Sequence, residues 1–259
     1  MTIRRAFTLV ELLVVIAIIG LLSTIAITSM NSSRVKAKIA AGQQYEMNIY
    51  QGLGDRIIGD WSLDETAGTA IADISGNGNN GTLAGPLTSV PGVFGNALNF
   101  NGSNFITINN TITTTLNSFT VSAWFKTTNA SDIKIVSFQS TTHPIQTIGG
   151  QFRMCFPVTG CVVGTRMVND GNWHFATVTG DGTSIRGYID GTPEATAATN
   201  AAVITNTLYI GGCSSGYYFA GAIDQVRLYG AALTARAIKE QYLAGLTSHP
   251  QSLAAITTP

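Results

Sequence analysis

Charge is scarce in this chain: Asp, Glu, Lys and Arg make up 11% of its 259 residues, and fourteen basic side chains cancel fourteen acidic ones. That balance argues against nucleic-acid binding, which depends on a basic face that meets phosphates. Disorder is disfavoured as well, because 45% of the residues are hydrophobic and the net charge is zero. Three cysteines and three histidines leave little material for a structural zinc site. The acidic residues are sparse, three of them in Asp-Gly turns at Asp170, Asp181 and Asp190, and no Glu-x-Asp-x-Glu run supplies the closely spaced carboxylates that glycoside hydrolysis uses. No nucleophile arrangement is legible around His143, His174 or His249. The chain therefore reads as a non-enzyme, with His174 in a structural role. Proline is missing before Pro86, so nothing of that kind interrupts a helix near the front.

The apolar residues are concentrated in that region. Phe7 to Ser29 reads FTLVELLVVIAIIGLLSTIAITS, with Glu11 as its one charge. A helix of that length spans roughly 35 Å, enough for a bilayer core of about 30 Å. A secretory signal would be shorter and would end in a small-residue cleavage site, which is absent here. A plain membrane anchor leaves Glu11 unexplained, since a carboxylate at that depth is costly and points to a function. From Met30 to about Gln51 the pattern stays helix-compatible, with Val35, Ile39, Tyr45 and Ile49 at mostly four-residue steps. Gly52, Gly54 and Gly59 then end the helix.

Arg4-Arg5-Ala6-Phe7-Thr8-Leu9-Val10-Glu11 resembles the class III signal of type IV pilins and pseudopilins: a basic leader, a small residue, Phe, three residues and Glu, then an apolar helix. The resemblance implies that a prepilin peptidase removes residues 1–6, cutting between Ala6 and Phe7, and methylates the amino group of Phe7. Ala6 stands where the family usually has Gly. The helix also lacks the proline of many major pilins, which leaves minor pilins and type II secretion pseudopilins open. Carried over, Glu11 meets the Phe7 amino group of a neighbouring subunit inside a filament. A buried pair of that kind stabilises little, but breaking it strands a charge, so it would set register. The resemblance further implies a precursor in the cytoplasmic membrane, delivered by the pilus assembly machinery into an extracellular filament of many copies.

From Trp61 onward the pattern becomes alternation and turns. Phe119, Val121, Ala123 and Phe125 share one strand face, with Thr120, Ser122 and Trp124 on the other. Trp173–Val178 and Ser184–Ile189 read as strands joined through Asp181-Gly182. Thr234 caps a short helix that runs to Tyr242. The expected architecture is a long N-terminal α-helix plus an all-β antiparallel sandwich with a short C-terminal helix. It divides into the leader 1–6, the helix 7–53, the sandwich 54–245 and a flexible tail 246–259.

Three segments carry a second resemblance. Trp61-Ser62-Leu63-Asp64-Glu65 with Asp73 to Leu83, then Phe94 to Gly102, then Gly221 to Tyr229 followed by Ala232-Leu233-Thr234, are similar to successive blocks of laminin G-like, concanavalin A-like jelly rolls. That family implies a lectin-like domain for adhesion or for recognition of glycans or proteins, often with calcium. An anchored carbohydrate-active enzyme is the less favoured alternative.

Asp73, Ser75, Asn77 and Asn79 fall at positions one, three, five and seven of a loop with Gly78 at six, the offsets of a calcium loop. Position twelve is Ala84 rather than the bidentate Glu, so a second carboxylate has to come from elsewhere. The family pattern offers Asp224 or Asp64. The other reading is an Asn-Gly turn held by its own side chains. A disulfide between Cys155 and Cys161 is possible across the turn between them, leaving Cys213. Tyr217-Tyr218-Phe219 is compatible with core, with an edge strand, or with a sugar-stacking platform in which Tyr217 and Tyr218 are the candidates.

Overall fold

The structure, a computed structural model, describes residues 9–18, 52, 56–110, 112, 118–138, 142–157, 160–198, 207–213 and 216–248. Residues 9–18 form helix α1, which lies within the span 7–53 where the sequence predicts a long helix. The leader, Phe7 and most of the span from 19 to 55 lie outside the described residues. Among the described residues no helix is long and apolar enough to cross a membrane.

The strands in chain order are β1 (Ile57–Trp61), β2 (Ala70–Ile71), β3 (Gly81–Ala84), β4 (Ser89–Pro91), β5 (Asn96–Asn101), β6 (Phe105–Ile108), β7 (Phe119–Lys126) and β8 (Ile133–Phe138). Next come β9 (Thr142–Ile148), β10 (Gln151–Phe156), β11 (Gly160–Met167), β12 (Trp173–Gly180), β13 (Ser184–Ile189), β14 (Thr192–Ala198), β15 (Leu208–Ile210), β16 (Ala220–Tyr229) and helix α2 (Ala235–Ser248). They build two antiparallel sheets. One has the order β14-β13-β12-β7-β16-β5-β4, with β1 also on β16; the other runs β11-β10-β9-β8-β15-β6-β3-β2.

Alternation explains the sandwich. Phe119, Val121, Ala123 and Phe125 of β7 enter one core with Phe100, Phe138, Phe152, Ile223 and Leu228 from both sheets. The opposite face of β7 is buried too, because α2 covers it: Trp124 stacks on Tyr242 with ring centroids 5.7 Å apart and meets Phe175 at 5.0 Å. Thr234 Oγ1 accepts a hydrogen bond from Ala237 N at 3.2 Å, the expected N-cap. The helix does not stop at Tyr242. It continues to Ser248, so residues 246–248 belong to it rather than to a flexible tail, and Leu246 packs into the cluster under α2. Apolar burial extends a helix past the point where local pattern fades.

A break in β16 shapes the outer face of the first sheet. The first half of β16 pairs with β5 through Ala220–Ile223, and the second half pairs with β1 through Val226–Tyr229. Between the halves the register with β7 slips from Asp224 to Arg227, and Gln225 takes a left-handed φ of 51°. The strand changes partners at this bulge.

Candidate functional site: a groove and the loop that walls it

The partner change leaves space that the segment from Gly92 to Asn96 fills. Asp224 Oδ2 accepts hydrogen bonds from Val93 N at 2.7 Å and Phe94 N at 2.9 Å, and Asp64 Oδ1 accepts one from Asn96 N at 2.7 Å. Gly92 is required for this fit, since a Cβ there would lie 2.4 Å from Asn96 O and 2.6 Å from Asp224 Oδ2. Asp224 is fully buried. Burial pushes its carboxyl up to about 7; the N–H groups of Phe94 and Val93 oppose the shift, while the Asp64 carboxylate adds to it. Asp224 Oδ1 and Gln225 Oε1 are buried with no hydrogen-bond partner.

Among the described residues the orphaned Asp224 Oδ1, with the Asp64 carboxylate close by, is chemistry that suits a cation. The loop from Asp73 fits one less well. Asp73 Oδ1 accepts from Asp60 N and Ser75 N, and Oδ2 accepts from Asn79 N. Asn77 Nδ2 donates to Ile57 O and Asn79 Nδ2 to Ile58 O, while Ser75 Oγ accepts from Asn77 N. The side chain at position one is spent on the loop's own amides and on Asp60 N of β1, that at three on the loop, and those at five and seven tie it to β1. This is the geometry of the self-held turn. The six residues named from sequence thus divide between the Asp73 loop and a separate pair, Asp64 after β1 and Asp224 on β16. Among the described residues no group of three or more His, Cys, Asp or Glu side chains is placed to hold a metal.

The walled segment borders a groove of 1170 Å³ on the outer face of the first sheet. Register sets one row across it: Trp173 opposite Lys126, Lys126 opposite Ala222, and Ala222 opposite Asn99. Ala220, Gly221 and Ala222 make a low floor, Trp173 and the 127–129 turn stand on one side, and Val90 to Gly95 stand on the other. Gly221 adopts φ 143°, and a Cβ there would come within 2.2 Å of Lys126 O. A half-buried indole, an exposed ammonium and the amides of Asn99 and Asn129 line this trough. Aromatic faces with a few fixed polar groups are the usual equipment of small-ligand sites. Sequence reasoning missed it, since Trp173 read only as the start of a strand; the hint available was an aromatic directly after the Asp170-Gly171-Asn172 turn.

The aromatic cluster chosen from sequence is split three ways. Phe219 is core. Tyr218 stacks on Phe105 of β6 at 5.4 Å. Tyr217 stands exposed at φ 59°, its ring 4.6 Å from Lys134 Nζ. Cys155 and Cys161, directly opposite each other on β10 and β11, form a disulfide, and Cys213 is a buried thiol that donates to Gly216 O. His174 of β12 lies buried between Asp190 (Nδ1, 3.0 Å) and Asp170 (Nε2, 3.1 Å), tying together the turns that flank β12 and β13, away from the groove's lining.

The chain is similar in fold to domain 4 of AbnA, an extracellular GH43 arabinanase from Geobacillus stearothermophilus solved with arabinotriose. Identity is 19% and the TM-score 0.59, over 72% of this chain and 98% of that one. It is also similar to the binding domain of Paraclostridial Mosquitocidal Protein 1 (16%, TM-score 0.59, 73% of this chain) and to the binding domain of Botulinum Neurotoxin DC in complex with SialylT (14%, 0.59, 74%). The chain spans about half of each toxin domain, 52% in both cases. No curated protein matches it. A family model described as a prokaryotic N-terminal methylation motif, the type IV pilin signal, matches residues 1–27, and a laminin G-type model matches residues 100–239. The chain belongs to the concanavalin A-like lectin/glucanase superfamily, and it joins that jelly roll to an N-terminal methylation motif.

Proposed function

We propose that this protein is a subunit of a type IV pilus-like extracellular filament whose jelly roll recognises glycans in the groove beside Trp173. The observation that carries the filament half is α1. Leu9, Val10, Leu12, Leu13, Val14, Val15, Ile16 and Ile18 are all exposed around the single carboxylate of Glu11, on the segment that bears the methylation motif. An apolar surface on every side needs a lipid or protein partner. The motif implies a membrane-anchored precursor and processing by prepilin peptidase; packing of these helices into a fibre core covers the same surface after assembly.

The groove supports the recognition half. Its lining offers an indole face, amides, hydroxyls and a lysine but no carboxylate, which favours binding over glycoside hydrolysis. Calcium between Asp64 and Asp224, using the buried Asp224 Oδ1, would fix the groove wall rather than touch ligand. Imaging of surface filaments tests the reading, with this chain identified in them by mass spectrometry. Long fibres made mostly of it, retained on glycan arrays through Trp173, support both halves. Short structures, or its presence only at fibre tips, would instead make it a minor pilin or secretion pseudopilin, a reading favoured by the absence of proline before Pro86.

A further inference from the structure

The outer face of the second sheet holds a buried reactive cluster that glycan binding does not use. Ile133 and Ile135 of β8 enter the core, which puts Lys134 on the other face. Lys134 is nonetheless buried at 3% exposure, and Gln146 of β9, directly opposite it in register, is fully buried. Lys134 Nζ meets Gln146 Oε1. The amide nitrogen of the same carboxamide lies 2.6 Å from Cys155 Sγ, so the group is held at both ends. Asp132 Oδ1 is 2.7 Å from Lys134 Nζ, and the Tyr217 ring covers the amine.

A primary amine and an amide held out of water, with a half-buried carboxylate that touches the amine through Oδ1 and Arg153 through Oδ2 (3.4 Å), are the complete set for an intramolecular amide exchange. We propose that Lys134 and Gln146 form an isopeptide bond, a covalent rung between β8 and β9. Asp132 takes a proton from the Lys134 ammonium, and the free amine attacks Cδ of Gln146. A second proton passes to Nε2, the Cδ–Nε2 bond breaks, and ammonia leaves with the proton that Asp132 held. An ammonium and a carboxamide become a secondary amide and ammonium ion, with no oxidant and no water consumed. Exclusion of water also protects the product from hydrolysis. The left-handed Tyr217 gains a purpose here, because its strained backbone holds the ring as a lid on the amine. The rung lies beside the Cys155–Cys161 disulfide, so neighbouring strand pairs β8–β9 and β10–β11 are each closed covalently, as a subunit under tension needs.

Mass spectrometry of the full chain after disulfide reduction decides the matter. The bonded protein is lighter than its sequence by one ammonia. Trypsin fails to cut after Lys134, so Thr127–Arg153 persists as one peptide carrying the same deficit. Lys134→Arg keeps the charge under Tyr217 but cannot form the amide, and returns the full mass. Asp132→Asn leaves both reacting groups in place and lowers the bonded fraction at least tenfold in freshly made protein. Cleavage after Lys134 with full-mass peptides from the natural chain overturns the proposal, and that measurement needs no variant to fold.

Discussion

Asp224 fastens β16 to a segment 131 residues earlier: its Oδ2 accepts the Val93 amide at 2.7 Å while its Oδ1 stays buried and unpartnered. One carboxylate therefore holds the groove wall and carries an unmet demand for positive charge. In chelator, Asp224→Asn keeps an acceptor for the Val93 and Phe94 amides and removes the buried charge. Since a carboxyl pushed up to about 7 is a destabilising anion at neutral pH, the variant should gain stability there, by roughly 2–4 kcal/mol. In millimolar calcium the order should reverse: the natural protein melts higher, and the variant is unmoved. Thermal scans in both conditions check this. An Asp224→Asn protein that still responds to calcium would remove the ion from this site.

Asp73→Ala separates the Asp73 loop from the Asp64–Asp224 pair. It strips acceptors from Asp60 N, Ser75 N and Asn79 N, so it should cost about 1–3 kcal/mol in calcium and in chelator alike. A loss confined to calcium-containing buffer would return the ion to the Asp73 loop.

Trp173→Ala should lower glycan affinity at least tenfold, since stacked aromatic faces contribute most of a sugar's contact, and should leave the melting temperature within a few degrees because the indole is only half-buried. Titration calorimetry with oligosaccharides found on arrays reads the first quantity. Unchanged affinity would move recognition elsewhere, with exposed Tyr217 next to test.

Burial alone would lower the His174 imidazole, but hydrogen bonds and charge from Asp190 and then Asp170 outweigh it and hold the pKa above 6.5. A raised folded pKa contributes stability that is complete below about 6.5 and is lost as pH rises through the folded value. Asp224 titrates nearby, so the difference between the natural chain and His174→Gln isolates the imidazole. That difference should favour the natural protein at pH 5–6 and shrink above neutrality. A pH-independent difference would show that the ring acts by shape alone.

The legible parts of this fold obey local rules. Phe119 to Phe125 alternates because its strand has a core face, and Asp181-Gly182 marks its hairpin because Asp181 Oδ1 caps Thr183 N and Ser184 N. Thr234 announced its helix by capping it. The C-terminal reach of α2 depends on a distant surface, the face of Trp124, so no local signal marks it. The groove was hidden for the same reason: Trp173, Lys126, Ala222 and Asn99 come from four strands, and only register aligns them. Asp64 and Asp224 entered through family resemblance; what distinguishes Asp224 from Asp73 is an orphaned oxygen, and that exists only after folding.

Glu11 supplies the test of assembly. It stands exposed on α1 among apolar side chains, on the segment that carries the methylation motif. In a bilayer a central carboxylate costs about 2.5–3.5 kcal/mol on insertion scales, so replacing it can only ease membrane entry. In a filament the charge has to be met by a neighbour, here the amino group of processed Phe7, and an unmet partner in an apolar core is strongly unfavourable. Glu11→Val should therefore insert and be processed normally yet yield few filaments, because each methylated amino terminus is then buried without its counter-charge. Glu11→Gln keeps the size and loses the charge, and should fall between the two. Membrane fractionation, mass spectrometry of the amino terminus and filament yield read the three steps separately. Full filament yield from both variants would remove Glu11 from subunit register and leave α1 as an anchor alone.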